Sequence, residues 1–400
     1  MRDGTTLVAE VNLPDAAARS TVPAVLVRSP YHRSLFEIEV RPLVEAGFAV
    51  VIQSVRGRHG SEGTFVPYFH EGDDGYDSVE WVAGQPWCDG NVAMMGSSYG
   101  GWVQWAAARE HPPHLRTFVS SACCARWTGE WPWRNGVLWP GAITWLHMVA
   151  GSEDYTLTPV EVAHLDDPPT PLNHFQDRYH AKLPMADDWL KHPTPDGYWS
   201  PIQLAAADFA GIDLPVLHIT GWFDRCQLGA QFLYDGMRRH SPARDRQALI
   251  VGAWDHTIRE MRRSYDSVDF GRESVIDFHG ERIRWFDRWL RGGPPGEEPS
   301  ARVFVTGARR WQRLPQFPPD DASHQTWFSI ARAPPPKGAG ASLVRRRGTH
   351  SLSTRLSMTR RHRWSPGPTV TRPPTRPSSV GPCTPATTSS SSKASHSSRR

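Results

Sequence analysis

Residues 91–111, NVAMMGSSYGGWVQWAAAREH, constrain this 400-residue chain more tightly than any other stretch. An apolar run enters Gly96-Ser97-Ser98-Tyr99-Gly100, and an amphipathic segment leaves it. A serine in Gly-x-Ser-x-Gly can be an ordinary loop residue. It can also sit on a strained strand-to-helix turn, where the flanking glycines avoid clashes with the adjoining strand and helix. The five-residue pattern alone occurs by chance. Here a strand precedes it and a helix follows, as the turn demands, so Ser98 is read as a nucleophile.

The same alternation runs along the chain. Strand candidates are 22–31, 48–57, 91–98, 115–124, 214–224 and 246–256, and a first strand begins almost at once. They are short, β-branched and apolar on both faces, as strands of a parallel sheet covered on both sides should be. Helix-like segments lie between them at 74–85, 100–111 and 226–240, and 282–299 reads as a last helix stopped by Gly-Gly-Pro-Pro. Alternating β and α predicts an α/β fold.

The alternation breaks over 125–205, a helical insertion carrying Trp127, Trp131, Trp133, Trp139, Trp145, Trp189 and Trp199. Placed after a strand's C-terminal end, it would cover the edge of the sheet where ligands bind. Its tryptophans suit either the insertion's own core or recognition. From about 340, Arg, Pro, Ser and Thr dominate and apolar periodicity is lost, the composition of a disordered tail.

Charge follows that division. The tail after Asp321 has no acidic residue and 14 of the 45 Lys and Arg. Residues 1–321 therefore carry 31 basic against all 41 acidic side chains, a net of −10. With little aromatic interleaving, the basic tail does not argue for a nucleic-acid partner. No apolar run approaches the ~18 residues of a membrane span, and the start lacks the pattern of a secretory signal. The five cysteines show neither metal-ligand spacing nor a disulfide framework, so free thiols and a cytoplasmic location are expected.

A serine hydroxyl needs a base, and the base needs an orienting carboxylate. On such sheets these follow the serine in the order acid, then histidine. Asp224 ends the strand LPVLHITGWFD, and His256 follows ALIVGAW. Asp255 is the rival acid, but neighbours in an extended segment point to opposite faces. His218, mid-strand, reads as a buried, hydrogen-bonded side chain. The oxyanion needs donors, the first being the backbone N–H of Tyr99. A second should come from RSPYHR (28–33), where Tyr31 offers a phenol or packs as an aromatic.

RSPYHR, VRGRHGSEGTF, EWVAGQPWCDGNVAMMGSSYGG, PVLHITGWFD and IVGAWDH, in this order, resemble the cocaine esterase/X-Pro dipeptidyl-peptidase (CocE/NonD) family of serine hydrolases over roughly residues 1–320. The resemblance implies an α/β-hydrolase core, a helical cap and a C-terminal jelly roll. It implies a triad on Ser98, Asp224 and His256, with Tyr31 as an oxyanion donor. It implies hydrolysis of esters and amides, among them dipeptide release, glutaryl-side-chain removal and α-amino-acid ester cleavage. Ser54 stands where such proteins commonly carry Asp.

The expected domains are therefore a hydrolase core over 1–124 and 206–293, a cap over 125–205, a partial, truncated jelly roll over 294–340 and a tail over 341–400. The abrupt change of composition suggests a shifted-frame translation of the tail, with a natural linker as the alternative. The expected function is a serine hydrolase acting on a small ester or amide, without metal or cofactor. The alternatives are an X-Pro dipeptidyl-peptidase, for which Glu130 or Asp154 could meet the free amine, and a catalytically impaired or non-catalytic protein. The oligomeric state stays open, a homodimer among the options.

Overall fold

The computed structural model describes residues 1–150, 174, 176–177, 179, 182–258, 262–293 and 300–323, with the backbone of 327–329 and 343–345. Nearly all of the tail expected over 341–400, Cys383 included, lies outside the described residues.

Nine strands form one sheet. They are β1 (Ala9–Asn12), β2 (Val22–Ser29), β3 (Ala49–Ser54), β4 (Cys88–Ser97) and β5 (Leu115–Ser121), then β8 (Val216–Gly221), β9 (Gln247–Gly252), β12 (Ala301–Val305) and β13 (Arg310–Leu314). Their order is β1-β3-β2-β4-β5-β8-β9-β12-β13. The strands from β3 to β12 run parallel, and β1 and β13 close the two edges antiparallel. β2, β3, β8 and β9 are buried at every residue, which is why they read as unbroken apolar runs. The six interior strand candidates match β2, β3, β4, β5, β8 and β9.

The helices beside the sheet are α1 (Glu37–Glu45), α2 (Glu71–Ala83) and α3 (Tyr99–Arg109). In the insertion, a β6–β7 hairpin (Trp133–Arg134, Val137–Leu138) precedes α4 (Pro140–Ala150) and α5 (Pro184–Lys191). Then come α6 (Ala206–Gly211), α7 (Gln227–His240), a β10–β11 hairpin (Ser264–Tyr265, Val268–Asp269) and α8 (Phe278–Arg291). α1 has no counterpart in the sequence reading because Pro42 lies inside it, a position that removes a helical hydrogen bond. α8 stops where its glycines indicate: Gly292 takes the left-handed conformation at φ 66°. Its buried residues Phe278, Arg282, Trp285, Phe286 and Leu290 repeat at helical spacing against the sheet.

β12 and β13 fall within the 294–340 expected for a partial jelly roll, and β12 pairs with β9, so 301–314 extend the main sheet. Ala301, Val303 and Phe304 are buried, Val303 and Phe304 as adjacent residues on opposite faces, as in a strand covered on both sides. A compact unit runs from Met1 to Ser323. Beyond it, a two-stranded ladder pairs β14 (Trp327–Ser329) with β15 (Leu343–Arg345).

The cysteine expectation is corrected. Cys124 and Cys226 form a disulfide across 102 residues of sequence. They follow β5 and β8, which are neighbours in the sheet, so their Cα atoms come within 4.6 Å. Spacing along the chain could not reveal this proximity. Cys88 and Cys123 are free and buried.

Candidate active site

β4 meets α3 at Ser98, which holds φ 60° and ψ −118°. A non-glycine residue rarely adopts this region, and the surrounding structure must hold it there. The Ser98 N–H donates to the Ser121 carbonyl at 2.9 Å, tying the turn to β5. The glycine expectation is met in part. Gly96 is crowded, but a Cβ on Gly100 would meet its nearest atom at an ordinary 3.6 Å. The second crowded position is Gly101, where a Cβ would fall 2.9 Å from that of Cys123.

The ends of β8 and β9 bring two further groups to the serine. Trp222 N–H donates to the Gly252 carbonyl at 2.8 Å and Phe223 N–H to the Trp254 carbonyl at 3.0 Å, lacing the two loops together. His256 Nδ1 lies 2.7 Å from Asp224 Oδ1, and its Nε2 lies 3.0 Å from Ser98 Oγ. A carboxylate at Nδ1 keeps the proton on that nitrogen and turns a lone pair of Nε2 toward the serine. Asp224 is buried and held by more than the histidine: the Thr220 hydroxyl donates to Oδ2 and the Cys226 N–H to Oδ1, both at 2.9 Å. Asp255 turns away and accepts from the N–H and hydroxyl of Thr257. His218 is buried beside Gln247 at 3.1 Å, and burial pushes its pKa down to about 4.

Tyr99 is the first residue of α3, where a backbone N–H has no partner within the helix. Its side chain reaches the other way and is fixed. The Tyr99 hydroxyl donates to Glu71 Oε1 at 2.5 Å, and Glu71 pairs with Arg28 at 2.8 Å. All three groups are buried, and burial raises the pKa of both Tyr99 and Glu71. Sequence reasoning missed this support, although an arginine inside the apolar strand VPAVLVRS was a visible signal. Tyr31 lies across the site, where its hydroxyl accepts from the Trp145 indole N–H at 2.7 Å. An accepting phenol still carries its own donor proton. In the loop that follows, Arg33 donates to the Ser54 hydroxyl at 2.5 Å and to the His59 carbonyl at 3.0 Å. A serine thus serves as a contact at the position where Asp was noted as usual.

A cavity of about 230 Å³ opens over Ser98 and His256. Its walls are mostly aromatic and include Tyr31, Tyr68, Tyr99, Trp131 and Trp145, with Arg225 and the Cys124–Cys226 disulfide alongside. The tryptophans thus divide between the two expected uses. Trp127, Trp133, Trp189 and Trp199 are buried in the core that the insertion shares with the sheet and α3, while Trp131 and Trp145 line the cavity. Trp127 and Trp133 donate their indole N–H groups to the carbonyls of Ile202 and Trp189.

Glu130 is not a cavity-lining group. Its Oε1 accepts from the Gly229 N–H at 2.7 Å and its Oε2 from the Ala125 N–H at 3.4 Å. Burial pushes its pKa up to about 8. Asp154 lies outside the described residues. Among the described residues, Asp224, Cys226 and His256 come close enough to share an ion, but the cysteine sulfur is bonded to Cys124 and the other two face each other.

Residues 3–258 match the family model of the X-Pro dipeptidyl-peptidase (S15 family). The chain is 30% identical to the cocaine esterase of Rhodococcus sp. (strain MB1 Bresler), over 89% of this chain and 66% of the relative. In structure it resembles an aminopeptidase from a marine sediment Thaumarchaeota archaeon, with TM-score 0.69 and 22% identity over 83% of this chain and 60% of that one. An α-amino acid ester hydrolase superposes at TM-score 0.68 with 22% identity, over 80% of this chain and 57% of the other. These likenesses show the α/β-hydrolase fold, and the chain spans 66% of the cocaine esterase's length.

Proposed function

The chain belongs to the X-Pro dipeptidyl-peptidase (S15) family, and from that premise we propose that it is a serine hydrolase cleaving a carboxylic ester or amide. The reading rests on one observation, the unbroken line Ser98 Oγ–His256 Nε2–His256 Nδ1–Asp224 Oδ1 at 3.0 and 2.7 Å. His256 takes the Ser98 proton as the oxygen attacks the substrate carbonyl. Asp224 steadies the imidazolium that results. The Tyr99 N–H and the Tyr31 phenol donate to the developing oxyanion. His256 then returns the proton to the leaving group, and water, activated in the same way, releases the acid from the acyl-enzyme.

The proposed division places a hydrolase core at 1–124 and 206–293 and a cap at 125–205, with 301–314 closing the core sheet. The small-molecule substrate enters between core and cap. Among the described residues, no helix is long and apolar enough to cross a membrane. The cytoplasmic expectation rested on free thiols, and the Cys124–Cys226 pair withdraws that support.

An X-Pro dipeptidyl-peptidase is the second reading, favoured by the family match and by a 26%-identical stretch of 136 residues shared with the Xaa-Pro dipeptidyl-peptidase of Lactobacillus helveticus. It needs an acidic group for the substrate's free amine, and Glu130 is already engaged by backbone N–H groups. A fluorophosphonate probe should label the parent protein and spare Ser98→Ala. Equal labelling of both removes Ser98 as nucleophile. A panel of p-nitrophenyl esters beside X-Pro anilides separates the two substrate classes.

A further inference from the structure

Arg225 lines the same cavity as Ser98 and His256 but has no part in the proton transfers between them. It is exposed. Its backbone is held on both sides: Asp224 before it carries five hydrogen bonds or close polar contacts, and Cys226 after it is disulfide-linked. The side chain is steadied by Trp139 of the insertion, whose ring lies 4.6 Å from the guanidinium carbon. That contact is a cation–π interaction, which leaves the N–H fork available for hydrogen bonding at its edge.

The rest of the cavity makes this cation conspicuous. No Asp or Glu side chain lines it among the described residues. Asp224, next to Arg225 in sequence, is committed to His256, Thr220 and the Cys226 N–H, and Glu130 is turned to the backbone of Gly229 and Ala125. Among the described residues, Arg225 forms no ion pair with a carboxylate. A site with an oriented arginine, aromatic walls and no facing carboxylate favours an anionic group on its substrate and disfavours an ammonium. A planar guanidinium fork matches a carboxylate by two parallel hydrogen bonds.

We propose that Arg225 determines specificity by binding a carboxylate on the substrate, so that the preferred substrates are esters or amides bearing a free acid group away from the scissile bond. This deepens the serine-hydrolase reading and rests on it. A carboxylate can belong to the acyl part or to the alcohol part, and the two sources are separable by experiment.

Two matched pairs of esters serve: p-nitrophenyl hydrogen adipate against p-nitrophenyl hexanoate for the acyl side, and 3-carboxyphenyl butyrate against phenyl butyrate for the alcohol side. In one pair the ratio of kcat/KM, acid over neutral, should fall roughly tenfold in Arg225→Gln, the size of one charge-assisted contact at an exposed site. Arg225→Lys should keep part of the ratio, and added salt should lower it in the parent. A ratio unchanged by Arg225→Gln in both pairs overturns the proposal. A second measurement does not depend on turnover: calorimetric titration of adipate into Ser98→Ala, with and without Arg225→Gln. Binding of adipate that weakens roughly tenfold with the arginine removed supports the proposal, and equal or undetectable binding in both refutes it. Failure of every ester to react, with adipate still bound through Arg225, would instead count against the hydrolase reading.

Discussion

Gly96 and Gly100 approach so closely that a Cβ on Gly96 would lie 2.4 Å from the Gly100 carbonyl oxygen. No side chain survives at that distance without moving backbone, and the backbone here sets the φ 60° of Ser98. Gly96→Ala should therefore cost at least about 2–3 kcal/mol, the upper range of overpacking, and most of the activity. Gly100→Ala should behave oppositely. Gly100 lies in the first turn of α3 with ordinary room around it, and replacing a helical glycine by alanine gains about 0.5–1 kcal/mol. Thermal unfolding and ester turnover of both variants check this. Equal damage from the two would contradict the geometry.

Ser98→Ala and His256→Ala should each remove most of the turnover, and the double variant should lose little more. The two act on one proton, so their losses do not add. Additive losses in kcat would mean that the serine and histidine work independently, despite their 3.0 Å separation.

Tyr31→Phe should lower kcat by about 10²–10³ while leaving the fold intact, because the ring stays and one oxyanion donor goes. The Trp145 indole loses its acceptor at the same time, so a small fall in Tm, about 1 kcal/mol in stability, is expected. Unchanged kcat would return Tyr31 to a packing role.

What the sequence makes legible follows from the range of the interactions. Ser98, Asp224 and His256 each sit at the end of a strand that reads clearly as apolar, so chain order and strand ends suffice to propose their meeting. The Cys124–Cys226 pair depends on β5 and β8 being neighbours, which is a property of sheet order and not of local pattern. The same is true of the Arg28–Glu71–Tyr99 chain, built from three separate elements. The pairing of 301–305 with β9 is equally a matter of sheet order, because an edge strand of a mixed sheet and the first strand of a β domain read alike in sequence. Gly101, and not Gly100, carries the second steric constraint because Cys123 beside it belongs to the next loop of the sheet.

Glu130 gives a prediction about stability and pH. Burial raises its folded pKa to about 8, whereas an unfolded glutamate titrates near 4.5. Between those values the folded protein binds more protons than the unfolded chain, so this group makes stability fall as pH rises, by up to about 1.4 kcal/mol per pH unit. Below about pH 4.5 both states are protonated and the contribution vanishes; above about 8 the full cost of a buried charge is present. Glu130→Gln resembles the protonated form, since its amide oxygen can still accept from the Gly229 N–H. The variant should therefore gain on the parent steadily from pH 5 to 8. His218, pushed down to about 4 by burial, adds the opposite slope below pH 6.5. That slope is common to both proteins and cancels in the comparison. Urea unfolding at half-unit pH steps measures the difference. Parallel stability curves for parent and Glu130→Gln would show that Glu130 ionises in the folded protein at its ordinary pH, and that the buried carboxylate is held as a charge by its two backbone donors.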